Sequence, residues 1–158
     1  MASRVKEIPK GFHTVTPYLT VTDSAQAIDF YKRAFGAEEL LRVDGLDGKV
    51  AHAEIKIGDS IIMLSDEMPG WSRSPQSLGG TAVNIFLYVK DVDEVFNRAI
   101  DAGAKVAMPL SDMFWGDRYG QVTDPFGRSW SLATHKEDLL PEEIRERAKV
   151  AMAEMASP

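Results

Sequence analysis

The chain has no cysteine among its 158 residues. That excludes disulfides, thiolate nucleophiles and cysteine-based zinc sites, and nothing points to an oxidising compartment. Positive charge is in the minority: 18 Lys and Arg stand against 24 Asp and Glu, a formal net charge of −6. A chain this acidic has no electrostatic pull toward phosphate backbones, which argues against nucleic acid as the main partner. No apolar run approaches the roughly 18 residues of a membrane span. Residues 1–15 lack the apolar core of a signal peptide. We expect a cytoplasmic protein with no membrane partner. Neither a G-x-S-x-G elbow nor a Walker loop appears.

What is present is a folding composition, 44% hydrophobic and 27% charged, in a length that suits one domain or two small modules sharing a core. The chain also reads itself twice. In "PYLTVTDSAQAIDFYKRAFGAEEL", Tyr18 and Thr20 alternate with Leu19 and Val21, a half-buried strand. Asp23 with Gln26 resembles a capping box. Ile28, Tyr31 and Phe35 form one helical face, and Gly36 stands where a left-handed cap is expected. In "NIFLYVKDVDEVFNRAIDAGAKVAMP", Asn84, Phe86 and Tyr88 alternate with Ile85, Leu87 and Val89. Asp91 and Glu94 repeat the cap, Val92, Val95, Phe96 and Ala99 repeat the stripe, and Gly103 closes the helix. The two cap aspartates and the two closing glycines recur at nearly one offset, which suggests an internal duplication.

Three strand-like stretches follow each helix, so each half reads β-α-β-β-β. The predicted organisation is an N-terminal extension (1–13), a first module (14–67), a Gly/Pro/Ser-rich linker of little periodicity (68–81), a second module (82–138) and a C-terminal helix and tail (139–158). The helix over 141–156 is expected to start at Pro141, carry Glu142 and Glu143 at its positive end, and present Ile144, Ala148, Met152 and Met155 along one stripe.

These paired modules, together with "DPFGRSWSL", resemble the glyoxalase / bleomycin-resistance / extradiol dioxygenase superfamily, the vicinal-oxygen-chelate fold. "YLTVTDSAQAIDFYKRAFGAEEL", "HAEIKIGDSIIMLSDE" and "DPFGRSWSLATHKED" are similar to its PhnB-like subgroup. The resemblance spans roughly residues 14–138. It implies an α+β fold of two modules with curled mixed sheets around a cavity, helices outside, and here an extra C-terminal helix.

Strand alternation then assigns faces. Leu19, Val21, Ile55, Ile62, Leu64, Trp130 and Leu132 suit the helix side. The cavity side receives Thr16, Tyr18, Thr20, His52, Glu54, Ile61, Met63, Ser65, Asn84, Phe86, Tyr88, Ser129, Ser131 and Ala133. A Gly58–Asp59 turn would pair Glu54 with Met63 and His52 with Ser65. Gly120 is a candidate bulge.

The resemblance implies metal ligands on the first, fourth, fifth and eighth strands, which here are Thr16, Met63, Asn84 and Ser131. Those are poor donors for a hard or borderline divalent ion, which needs imidazole or carboxylate. We therefore expect no metal and no cofactor at that site. A relocated metal at His52 and Glu54, two apart on one strand face, is the competing reading; His13 and His135 are expected to be exposed.

"MFWGDRYG", residues 113–120, brings Phe114, Trp115, Asp117, Arg118 and Tyr119 together. It reads either as an aromatic corner with Asp117 and Arg118 solvated, or as a stacking wall for a planar ligand. The expected ligand site is His52, Glu54, Tyr18, Phe86, Tyr88, Trp115, Asp117 and Tyr119. Of these, His52, Glu54, Asp117 and Tyr119 are candidates for acid–base chemistry. The reading is a cavity protein that binds a small organic ligand, for resistance or sequestration. The alternative is a lyase, isomerase or dioxygenase using a relocated metal or metal-free acid–base chemistry. Exposed sheet edges, the C-terminal stripe and Trp71, a lid or subunit contact, point to a homodimer.

Overall fold

The computed structural model describes residues 4–157. The chain forms two compact units. The first is the chain up to Ala82 together with Phe126–Arg128; the second is Val83–Pro125 with Ser129 onward.

In the first unit, β1 (Tyr18–Val21) leads to α1 (Ser24–Phe35), then β2 (Glu38–Asp44), β3 (Val50–Ile57) and β4 (Ser60–Asp66). The sheet order is β1-β4-β3-β2, with β1 parallel to β4 and the other pairs antiparallel. The Asp23 carboxylate accepts from the Gln26 amide at 3.0 Å, and Gly36 closes α1 at φ 67°. Ile28 and Tyr31 are fully buried, as are Leu64, Val21 and Ile55 from the sheet. Phe126 joins this core, its ring edge-on to Phe30 at 6.3 Å.

The second unit repeats the plan. β5 (Asn84–Tyr88), α3 (Val92–Ala102), β6 (Lys105–Asp112), β7 (Asp117–Thr123) and β8 (Ser129–His135) give the order β5-β8-β7-β6, with β5 parallel to β8. The Asp91 carboxylate accepts from the Glu94 amide at 3.1 Å. Val92, Phe96 and Ala99 meet Trp130, Leu132 and Val122 in the core. Trp130, fully buried, donates its indole N–H to Asp124 at 2.9 Å. The helix-side parity holds in both sheets: Leu19, Val21, Ile55, Ile62, Leu64, Trp130 and Leu132 are all buried.

Within the expected linker, 68–81, Ser74 caps a short helix, α2 (Pro75–Leu78), too short to leave a periodicity in the sequence. Two expectations are corrected. The first strand starts at Tyr18, so Thr16 lies before it and donates its hydroxyl to the His13 carbonyl at 3.2 Å. Gly120 is not a bulge. The β7–β8 ladder is continuous there, and the irregular register falls opposite, between Val106 and Ser111 of β6. A Cβ on Gly120 would lie 2.8 Å from the Phe96 ring, so helix packing is what requires glycine. The last helix, α4 (Pro141–Ala156), spans its expected range; Ile144, Ala148 and Ala151 are half-buried, and Met152 and Met155 are exposed in the single chain.

Candidate functional site

Register makes the duplication quantitative. In the first sheet Tyr18 and Glu54 both oppose Met63. In the second, Phe86 and Gln121 both oppose Ser131. Counting back two residues along β3 and β7 makes His52 the counterpart of Tyr119. The rings obey this: Tyr18–His52 and Phe86–Tyr119 each have centroids 5.7 Å apart and tilted planes. Even the helix entry repeats, with the Ser24 amide on the Asp66 carboxylate at 2.6 Å and the Val92 amide on the Thr134 hydroxyl at 2.9 Å.

The expected ligand residues fall into two groups, one on each unit. On the first sheet the Tyr18 hydroxyl meets His52 Nδ1 at 3.1 Å, and His52 Nε2 meets Glu54 at 3.3 Å. Tyr18 is half exposed.

On the second sheet Phe86, Tyr88, Trp115, Asp117 and Tyr119 come together. The turn between β6 and β7 is responsible. The Met113 amide donates to the Asp117 carbonyl and the Gly116 amide to the Met113 carbonyl, at 2.8 and 3.1 Å. The Gly116 carbonyl in turn accepts from the amides of Lys136 and Glu137. Gly116 has φ 96°, and a Cβ there would lie 2.8 Å from the Glu137 carbonyl. This turn sets the Trp115 indole N–H on Asp117 Oδ2 at 3.0 Å.

Asp117 is therefore not solvated. It is 2% exposed. Its Oδ2 also accepts from the Tyr88 hydroxyl at 2.9 Å, and its Oδ1 accepts from His135 Nδ1 at 2.8 Å. Burial of a carboxylate demands such partners. The adjacent Arg118 lies on the opposite face and clamps Asp93 of α3 at 2.8 and 2.9 Å, with Asp112 at 3.3 Å, which raises its pKa further above the ordinary range.

His135 joins the candidate site although sequence reasoning set it aside. Its side chain is half exposed, as expected, yet it is tied to the buried acid. The cavity-side parity of Ser129, Ser131 and Ala133, carried two residues further, would have found it. Its Nε2 faces Asp138 at 2.8 Å. The bond to Asp117, and then that to Asp138, raises the His135 pKa above its ordinary value. An imidazolium, with two N–H donors, suits two carboxylates. The same Asp117 raises the Tyr88 pKa, keeping its phenol a donor. Trp115 and Tyr119 stand edge-on at 5.7 Å, and Phe86 and Tyr88 lie 4.9 Å apart, 44% and 65% exposed. The patch combines open aromatic faces with polar groups fixed at one end.

The positions at which the resemblance implies a metal do not fit one. The Asn84 amide donates to Ser131 Oγ at 2.5 Å and accepts from the Ser131 amide at 3.0 Å, and Tyr119 meets the same Oγ at 2.8 Å. Thr16 is turned to a backbone carbonyl and Met63 offers only a thioether. Asn84 and Ser131 saturate each other, and the four positions include no carboxylate or imidazole. Among the described residues no three His, Asp or Glu side chains converge to hold a metal ion.

Comparisons with known proteins agree with this architecture. The Glyoxalase/Bleomycin resistance protein/Dioxygenase superfamily model matches residues 11–132. An uncharacterized protein of Mycobacterium bovis, Mb0911c, is 50% identical over 135 residues, 83% of this chain and 89% of that one. The crystal structure of TioX from Micromonospora sp. ML1 is similar at 33% identity, covering 78% of this chain and 98% of that chain with a TM-score of 0.64. A PhnB protein from Bacillus cereus, described as a putative 3-demethylubiquinone-9 3-methyltransferase, shares the fold at 20% identity, covering 77% of this chain and 99% of that one with a TM-score of 0.57.

Proposed function

This chain belongs to the glyoxalase/bleomycin resistance protein/dioxygenase superfamily, and we propose that it is a metal-independent binding protein for small organic molecules with a planar ring. One observation carries the reading: the exposed rings of Phe86 and Tyr88 lie beside Trp115 and Tyr119, and the buried Asp117 fixes two of these four side chains by hydrogen bonds. Such rings supply affinity by area and by about 0.5–1.5 kcal/mol per well-placed ring pair. Orientation comes from polar groups held rigid before the ligand arrives. The internal saturation of Asn84, Ser131 and Tyr119 supports binding without a metal ion. Sequestration or resistance is the corresponding biological use.

The enzymatic alternative has one observation in its favour. The Asp117–His135 pair, 2.8 Å apart, is the arrangement that orients an imidazole for proton transfer. A homodimer belongs to the same proposal, because β2 leaves Leu40, Leu41 and Val43 exposed and β6 leaves Val106 and Met108 exposed.

The test is a screen of ring-containing small molecules on tag-free protein, followed by the indole N–H signals of Trp71, Trp115 and Trp130. Binding that moves Trp115, leaves Trp130 in place and survives a chelator is expected. One equivalent of copurified metal, lost on His52→Ala, would replace this reading with the relocated-metal enzyme.

A further inference from the structure

Beside the ring patch lies an open recess of about 700 Å³, lined by Tyr88, Val89, Lys90, Thr134 and His135. Its groups are unequal in what they have left to offer. Thr134 is used up, because its hydroxyl accepts from the Val92 amide and donates to the Val89 carbonyl. Tyr88 spends its hydroxyl on Asp117 but keeps its ring 65% exposed. Lys90 has no hydrogen-bond or ion-pair partner among the described residues. Of the acids beside it, the Asp91 carboxylate caps α3 and Asp93 is clamped by Arg118, and Glu94 forms no ion pair with Lys90.

His135 completes the set. Its Nδ1 is committed to the buried Asp117. Its Nε2 meets only Asp138, whose side chain is fully exposed and three residues along the same chain. An exposed local ion pair of that kind contributes little and exchanges readily with solvent. The Asp138 carboxylate thus sits where an incoming carboxylate would sit.

We propose that this recess is an anion subsite, and that the ligand of the ring patch is an aromatic carboxylate. Its carboxylate displaces Asp138 from His135 Nε2 and is shared with Lys90 Nζ, while its ring lies on Tyr88 and Phe86. The inference rests on the ring-patch reading and adds the charge of the ligand. No covalent step is involved.

The experiment titrates the full chain with three probes of one ring size: benzoate, benzyl alcohol and benzylamine. The readouts are the imidazole signals of His13, His52 and His135 and the indole signals of the three tryptophans. Benzoate should move His135 and Trp115, leave Trp130 unmoved, and bind more tightly than benzyl alcohol, with benzylamine weakest. Lys90→Ala and Asp138→Asn are surface changes that leave the fold intact. The first should weaken benzoate about tenfold, the worth of one charge-assisted hydrogen bond. The second should tighten it about threefold by removing the competing carboxylate, a gain in the range of an exposed ion pair. Equal affinity for benzoate and benzyl alcohol, or tighter binding of benzylamine, would overturn the anion subsite and leave the ring patch standing. Weaker benzoate binding by Asp138→Asn, or benzoate shifts at His52 rather than His135, would also overturn it. If no probe moves Trp115 at all, the ring patch fails and the subsite with it.

Discussion

The two sheets share a frame and differ in what they have placed on it. Tyr18, His52 and Glu54 make an open chain of side chains on the first; Phe86, Tyr119 and Gln121 occupy the same register on the second. The difference starts one step further along. The counterpart of Asp117 is Val50, which is buried and offers only its backbone, donating its amide to Asp66. The counterpart of His135 is Glu67, whose carboxylate serves α2 by accepting from the Ser74 amide and the Ser77 hydroxyl, bonds that lower its pKa to about 2. So the first half uses its strand ends to hold chain together. The second uses the same positions to build a buried acid with three donors. Duplicated backbone keeps the ring pair in both halves, and the ends of the strands are where the halves became free to differ.

The largest effect should come from the helix side of the second sheet. Trp130→Ala removes a fully buried indole and its bond to Asp124, and should cost about 3–5 kcal/mol in denaturant unfolding. Trp115→Ala, on the other face, should cost far less while weakening ligand binding. An unchanged stability for Trp130→Ala together with lost binding would invert the assignment of faces.

Next is a column where the halves differ by a methyl group. Gly120 and Ala53 are counterparts. Gly120→Ala drives a Cβ to 2.8 Å from the Phe96 ring and 3.0 Å from Leu110, and overpacking of this kind costs about 1–3 kcal/mol. Ala53→Gly in the first sheet should cost about 1–2 kcal/mol, from backbone entropy and from the loss of a fully buried methyl group. Thermal melts of the two variants rank them, and a neutral Gly120→Ala would show that α3 is less closely packed than the distances imply.

The frame itself was legible in the sequence because its signals are local. Asp23 and Gly36, or Asp91 and Gly103, act within a turn of their own helix, and alternation placed Trp130 and Leu132 on the buried side. The site was legible only in part. Trp115, Asp117 and Tyr119 stood out as candidates because aromatic and acidic residues crowd one stretch, and Tyr88 because it alternates toward the same side of its strand. The pairing of Asp117 with His135, and of Arg118 with Asp93, is set by strand register and by helix docking, across 18 and 25 residues. Strand parity places His135 on the cavity side, but composition and spacing do not state its partner, nor that of Arg118. An apolar stripe states what a helix is able to bury and not what covers it: Met152 and Met155 are exposed in the single chain, while Ile144, Ala148 and Ala151 are half-buried.

Smaller differences test whether the acid really organises the second sheet. Tyr88→Phe removes one donor from buried Asp117 and should cost about 1 kcal/mol, below the range for a bond to a charged group because the ring is largely exposed. Tyr18→Phe removes a bond to half-exposed His52 and should cost about 0.5 kcal/mol or less. Equal losses would mean that burial of Asp117 adds nothing to its hydrogen bonds.

The smallest effect is a pH dependence confined to the second sheet. His135 has its pKa raised, first by the bond to Asp117 and then by that to Asp138. A histidine whose native value lies above its unfolded value, near 6.5, holds its proton more tightly in the folded chain. Its contribution is therefore complete below about pH 6.5 and is lost as the pH rises through the raised native value. His135→Gln cannot be protonated, so it lacks this contribution at every pH. The melting temperatures of wild type and His135→Gln should differ most near pH 6 and converge toward pH 9. Asp138→Asn should leave much of that convergence in place, because the larger cause, Asp117, remains. A gap that is flat, or that widens with pH, would mean that His135 is not held protonated by the buried acid, and the second sheet would then differ from the first in shape alone.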